Sequence, residues 1–153
     1  MEIVHTSVLL NECLSYLSPE NENYGDSPLM IDSTLGEGGH SEAFLSKYKN
    51  LRIIGIDADP VIQARAKERL APFGDRMSFY SGWFDDFYAN YQNEDDRPSL
   101  ILFDSNPTGA KMALEVLHHF TRPAGARRIV VTPGFVELGV RQAELNRELG
   151  RDI

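Results

Sequence analysis

The residue types with most capacity for chemistry fall between positions 30 and 60. Met30-Ile-Asp-Ser-Thr-Leu-Gly-Glu-Gly-Gly-His-Ser41 is an apolar strand running into a glycine-rich turn and then a helix, and Ile53-Ile-Gly-Ile-Asp-Ala-Asp-Pro60 is a second strand ending in acids. Glycines at 36, 38 and 39 allow a sharp turn and let the backbone approach a ligand with no Cβ in the way. Asp57 ends the second strand at the carboxyl edge, where open parallel sheets bind ligands, and an acid there can grip ribose hydroxyls. It could instead cap the helix that starts at Pro60, a role open also to Asp59. The pattern reads as a nucleoside-cofactor site. Glu37 adds a negative charge where pyrophosphate would sit, so a cationic sulfonium such as S-adenosylmethionine fits better than a dinucleotide.

Other candidates carry less. Trp83, Tyr80, Phe87, Tyr88 and Tyr91 could stack RNA bases, but Asp85 and Asp86 oppose a polyanion, and packing over the cofactor edge or the core is favoured. His118 and His119 are adjacent in a helix and do not share a face, so no metal site is expected. A phosphate loop of the Gly-x-x-x-x-Gly-Lys-Ser/Thr type is absent.

The elements that must position these residues alternate. Apolar spacing predicts a helix over 5–17, a strand over 29–32, a helix over 41–48, a strand over 52–57 and a helix over 60–70 with Pro60 in its first turn. A short strand over 77–80, an aromatic and acidic short helix within 82–91 and a strand over 99–104 follow. Beyond these, Asn106 and Pro107 open a helix over 108–120, ahead of a strand over 128–132 and a terminal helix over 136–149. Such alternation implies a single Rossmann-like α/β domain over 1–153, with five parallel strands in the order 3-2-1-4-5 and helices on both faces.

With 42% hydrophobic and 25% charged residues the chain matches globular averages, which disfavours disorder and coiled coil. No stretch approaches the roughly 18 apolar residues of a membrane span. Cys13 is the single cysteine and the first residues lack a signal-peptide pattern, so a cytoplasmic protein without disulfides is expected. A net charge of −8 argues against a nucleic-acid backbone as partner, since such binding rests on Lys and Arg.

Four segments carry a specific resemblance: His5-Thr-Ser-Val-Leu-Leu-Asn-Glu12, the 32–41 turn, Ile54-Gly-Ile-Asp-Ala-Asp-Pro60 and Ser81-Gly-Trp-Phe84. In order and spacing they are similar to the RsmH/MraW family, methyltransferases that modify the exocyclic amino group of a cytidine in small-subunit ribosomal RNA. The resemblance spans residues 1–104. It implies cofactor contacts at Gly38, Gly39 and His40 in the turn, at Asp57 on the ribose, at Phe84 beside the adenine and at Asp104 after the fourth strand. In the alternative of an active methyltransferase Asp104 is also the catalytic residue, orienting the acceptor amine. That family continues from this acid as Leu-Gly-Val-Ser and then into an RNA-holding insertion, which the chain lacks.

Residues 104–153 resemble another family instead. Asp104-Ser-Asn-Pro-Thr-Gly-Ala-Lys-Met-Ala-Leu-Glu-Val-Leu117 and Arg128-Ile-Val-Val-Thr-Pro-Gly-Phe-Val-Glu-Leu-Gly139 are similar to the C-terminal domain of MurF-like Mur ligases. Asp104-Ser-Asn-Pro107 lacks the second proline and the aromatic of the amino-methyltransferase turn it resembles. Together the two resemblances imply an engineered or recombined chimera joined after the fourth strand, with an S-adenosylmethionine site and no turnover. An active cytidine methyltransferase and a ligand-free scaffold are the alternatives. A homodimer through the helix at 136–149 is a further expectation.

Overall fold

Four short apolar runs form the sheet in a computed structural model that describes residues 7, 9–21, 23–91, 93 and 96–103, with isolated positions 115, 143, 144, 147 and 151. The chain divides into two compact units, Met1–Leu102 and Phe103–Ile153, and the elements below belong to the first. Strands β1 (Leu29–Asp32), β2 (Arg52–Asp57), β3 (Met77–Ser81) and β4 (Leu100–Leu102) pair in parallel in the order β3-β2-β1-β4. Asp32 stands opposite Gly55 and Leu102, and Asp57 opposite Ser81, so the carboxyl ends of all four strands lie at one edge.

All four residues of β1 are buried, the signature of a central parallel strand covered on both faces. The cover comes from helices α1 (Leu10–Tyr16), α2 (Gly39–Lys47), α3 (Pro60–Leu70) and α4 (Phe84–Asn90), with a 3₁₀ segment over Ala71–Arg76. Successive β3 residues show which helix lies where. Lys67 of α3 sits over the Phe79 ring, whereas the Tyr80 ring meets Phe87 of α4 edge-on at 5.0 Å. Because neighbouring strand residues point to opposite faces, α3 and α4 occupy opposite sides of the sheet. Right-handed crossovers require the same arrangement, since the chain moves outward from β1 to β3 and then returns to β4.

Met30, Ile31, Phe44, Leu45, Leu51, Ile53, Ile56 and Leu70 form the fully buried centre of the core. Their packing is fixed at the ends by polar ties. Asp59 caps α3 by accepting from the amides of Val61 and Ile62 at 2.8 and 3.3 Å, with Pro60 following at the first helical position. The Arg76 guanidinium donates to the carbonyls of Leu45 and Tyr48, satisfying acceptors left at the end of α2, and to the Leu51 carbonyl just before β2. At the amino edge of the sheet, Arg52 forks onto the Asp96 carboxylate, while the Tyr91 hydroxyl donates to the Asp96 carbonyl.

Strands β1 and β2 and helix α3 have the bounds expected from the sequence. Helix α2 starts two residues earlier than expected, because its N-cap is Gly38 in a left-handed conformation (φ 80°). Gly39 and His40 therefore lie inside the first helical turn. Strand β4 is shorter than expected, at Leu100–Leu102. The predicted helix over 108–120, strand over 128–132 and helix over 136–149 lie outside the described residues, isolated positions apart, and so does Asp104. Among the described residues no helix is long and apolar enough to cross a membrane.

Candidate cofactor site

Beyond the carboxyl ends of β1, β2 and β3 the chain leaves an open cleft of about 370 Å³. It is lined by Ser33, Thr34 and Gly36 after β1, by Ile56, Asp57, Ala58 and Asp59 at the end of β2, and by Gly82, Trp83 and Phe84 after β3. Its size lies in the range of small-molecule pockets and its place is the usual one for ligands of doubly wound sheets.

Asp57 is the hinge of this cleft. One carboxylate oxygen accepts from the Gly36 amide at 2.9 Å and the other from the Asp59 amide at 2.8 Å, so the acid joins the first turn to the second. Helix capping falls to Asp59, which answers the alternative role left open for Asp57. A carboxylate offers about four acceptor sites, so two amide bonds leave it further capacity toward the cleft.

The glycine turn is held from beneath by an acid that the sequence reading passed over. Asp32, 1% exposed, accepts from the Ser41 hydroxyl at 2.7 Å and from the Thr34 amide at 3.3 Å, which ties the end of β1 to the start of α2. Its signal was available in the sequence, as an acid directly between an apolar strand and a glycine turn. A Cβ on Gly38 would stand 2.8 Å from Leu70 Cδ1, and one on Gly39 would stand 2.5 Å from Ser7 Oγ. Those two glycines thus serve close packing of α2, and they do not line the cleft, nor does His40, which is 8% exposed. Of the predicted cofactor residues the structure brings Asp57 and Phe84 to one cleft, places Gly38, Gly39 and His40 outside its lining, and does not describe Asp104.

The electrostatic role expected of Glu37 requires correction. Its carboxylate pairs with Arg65 of α3 at 2.8 Å, so its charge is balanced away from the cleft. The negative character of the cleft comes from Asp57 and Asp59, and among the described residues no basic side chain lines it. This donor set suits a ribose diol and a cation and offers no side-chain cation for a phosphate.

Residues 2–107 match the MraW methylase family. The chain belongs to that family. Over 104 residues it is 55% identical to the ribosomal RNA small subunit methyltransferase H of Treponema denticola, an alignment covering 68% of this chain and 32% of that protein. The corresponding protein of Borrelia turicatae is 49% identical over 89 residues, covering 58% of this chain and 29% of that one. The chain therefore spans about a third of the length of the curated relatives it matches. Among solved structures, an rRNA methylase from Streptococcus thermophilus aligns with a TM-score of 0.53 at 15% identity, covering 78% of this chain and 68% of that one. An O-methyltransferase from Bacillus cereus in complex with SAH aligns with a TM-score of 0.51 at 18% identity, covering 79% and 64%. At these identities the likeness shows the fold, a Rossmann-like methyltransferase α/β sheet.

Within this family fold the five aromatics near β3 divide into two groups. Phe87 packs against Tyr80, Tyr88 and Tyr91 with ring centroids 5.0, 5.4 and 5.1 Å apart, a cluster with its central rings buried. Tyr88 also shares a buried hydrogen bond of 2.8 Å with Ser33, and burial pushes its phenol well above the ordinary tyrosine range. Trp83 alone stays largely exposed, at the lip of the cleft, beside the half-buried Phe84.

Sequence reasoning also missed Gln63. This α3 side chain is 2% exposed, donates to the Tyr80 carbonyl at 2.7 Å and to the Asp57 carbonyl at 3.4 Å, and accepts from the Ser81 hydroxyl. A glutamine among helical residues gives no hint of such partners, which come from two strands.

Proposed function

We propose that the cleft binds S-adenosylmethionine, with Asp57 accepting from the ribose hydroxyls and Phe84 lying against the adenine. Bound there, the cofactor would supply an electrophilic methyl group on a sulfonium. The observation that carries this reading is the joint presence of Asp57 and Phe84 on one cleft whose lining, among the described residues, has two acids and no base. Membership of the MraW methylase family supports it, as does the name of the Treponema denticola relative, a ribosomal RNA methyltransferase. The acceptor in this reading is the amino group of a small-subunit ribosomal RNA cytidine, and Asp104, two residues past β4, is the group that orients it.

Calorimetric titration of S-adenosylmethionine into the full chain tests the reading. The wild type binds, and Phe84→Ala weakens binding about tenfold or more, as loss of an aromatic stack under a base does. A cooperatively folded chain that takes up no cofactor refutes it. Methyl transfer to small ribosomal subunits, lost in Asp104→Ala, would establish the acceptor.

A second reading has its own support. The family match ends at residue 107 and the chain divides into its two compact units after Leu102, on either side of the join inferred at Asp104. In a chimera, the Mur-ligase-like segment over 105–153 would supply the fifth strand of a 3-2-1-4-5 sheet, and a terminal helix over 136–149 available for dimerisation. Cofactor binding would then persist without turnover, since Asp57 and Phe84 both precede the join. Methyl transfer to ribosomal RNA by the purified chain excludes this second reading.

A further inference from the structure

The two groups assigned to the cofactor stand on different arms of the chain. Strands β2 and β3 end as a pair at Asp57 and Ser81 and then diverge, the first toward the Asp59 cap and the second through Gly82 to Phe84. The cleft opens between these arms, so the spacing of Asp57 from Phe84 depends on what ties them at the fork. One tie is backbone, the Gly82 amide donating to the Asp57 carbonyl at 3.1 Å. The other is the Gln63 side chain, reaching both arms from α3.

We propose that Gln63 is a positioning residue for cofactor binding, a brace that fixes the separation of the ribose acid from the adenine-side aromatic. This rests on the reading of the cleft as an S-adenosylmethionine site. The chemistry of the fork selects an amide. The Gln63 amide, itself 2% exposed, donates to the Tyr80 and Asp57 carbonyls and accepts from the Ser81 hydroxyl, so one side chain supplies both a donor and an acceptor at the fork. Methionine has the same length and no donor, so it leaves the Tyr80 carbonyl and the Ser81 hydroxyl without their partner and lets the arms separate.

The test uses the full chain, with S-adenosylmethionine titrated against the fluorescence of Trp83, the single tryptophan, which sits at the cleft lip. Gln63→Met is expected to weaken binding about tenfold, the equivalent of one to two neutral hydrogen bonds. Ser81→Ala removes one arm of the brace at an exposed position and is expected to weaken binding about threefold. In an Asp57→Asn background the Gln63→Met penalty should shrink below about threefold, because coupled residues are not additive. Plain destabilisation would instead give the same penalty in both backgrounds, and that result overturns the proposal. Wild-type binding together with both single variants within about twofold of it also overturns the proposal and leaves the cleft reading intact. If Gln63→Met does not fold, Ser81→Ala decides in the same way. Absence of binding by the wild type discards the cleft reading and this inference together.

Discussion

Gly38 and Gly36 belong to one turn, and the structure assigns their substitutions different costs. Gly38 has φ 80°, and an L-residue in that left-handed region costs roughly 1–2 kcal/mol. A Cβ there would also stand 2.8 Å from Leu70 Cδ1, 3.3 Å from Leu70 Cγ and 3.6 Å from Ala66 Cβ. Leu70 and Ala66 are 1% and 0% exposed, so the leucine has no free space to swing into. Overpacking of this kind adds about 1–3 kcal/mol. Gly38→Ala should therefore destabilise by about 2–5 kcal/mol. Gly36 has φ 53° but its nearest neighbour for a Cβ is the Thr34 carbonyl oxygen at 4.0 Å, so Gly36→Ala carries only the backbone cost, about 1–2 kcal/mol. Urea unfolding followed by Trp83 emission reports on the unit that contains both glycines. Cofactor affinity should show the reverse order. The Gly38 amide is already committed to the Leu35 carbonyl and its Cβ would enter the α2–α3 contact, so folded Gly38→Ala keeps its affinity. Gly36 lines the cleft, and its alanine variant should bind more weakly. Equal destabilisation by the two substitutions, or a Gly38→Ala cost under about 1 kcal/mol, would refute the packing account of this turn.

Two further predictions concern titration. The Arg52 guanidinium holds the Asp96 carboxyl below its usual range, so the pair's contribution is complete above the unfolded value of about 4 and is lost as pH falls through the lower folded one. Both side chains are about one-third exposed, which limits the pair to about 1 kcal/mol; the stability gap between wild type and Asp96→Asn should be present at neutral pH and close in acid, and a gap unchanged in acid refutes the assignment. Burial raises the Tyr88 phenol, so stability drawn from its neutral form is complete below about pH 10 and is lost as pH rises through the higher folded value. Tyr88→Phe should cost about 1 kcal/mol at neutral pH through the lost Ser33 bond, and should remove one late step from tyrosinate absorbance. Six tyrosines titrating together at the ordinary value would contradict this.

What could be read from the sequence was whatever neighbouring residues encode. The bounds of β1 and β2 follow from apolar runs closed by Pro28 and by acids, and α3 announces itself through Asp59 and Pro60. The start of α2 was misjudged because a left-handed glycine cap carries no side-chain signal. The same division governs the site. The place of Asp57 on the cleft was legible from an acid at a strand end and that of Phe84 from the family motif, since a half-buried aromatic looks the same in sequence whether it packs a core or lines a cleft. Glu37 was misread because the arginine that balances it lies 28 residues on. Gln63 meets the Tyr80 carbonyl across 17 residues, and Ser33 meets Tyr88 across 55. Partners at such separations meet only once the sheet has aligned the strand ends, and no periodicity in the chain foretells them. The cleft is thus framed by local signals and set by remote ones. A substitution at Gln63 or Asp32 should therefore perturb the site while leaving every local pattern in the sequence unchanged.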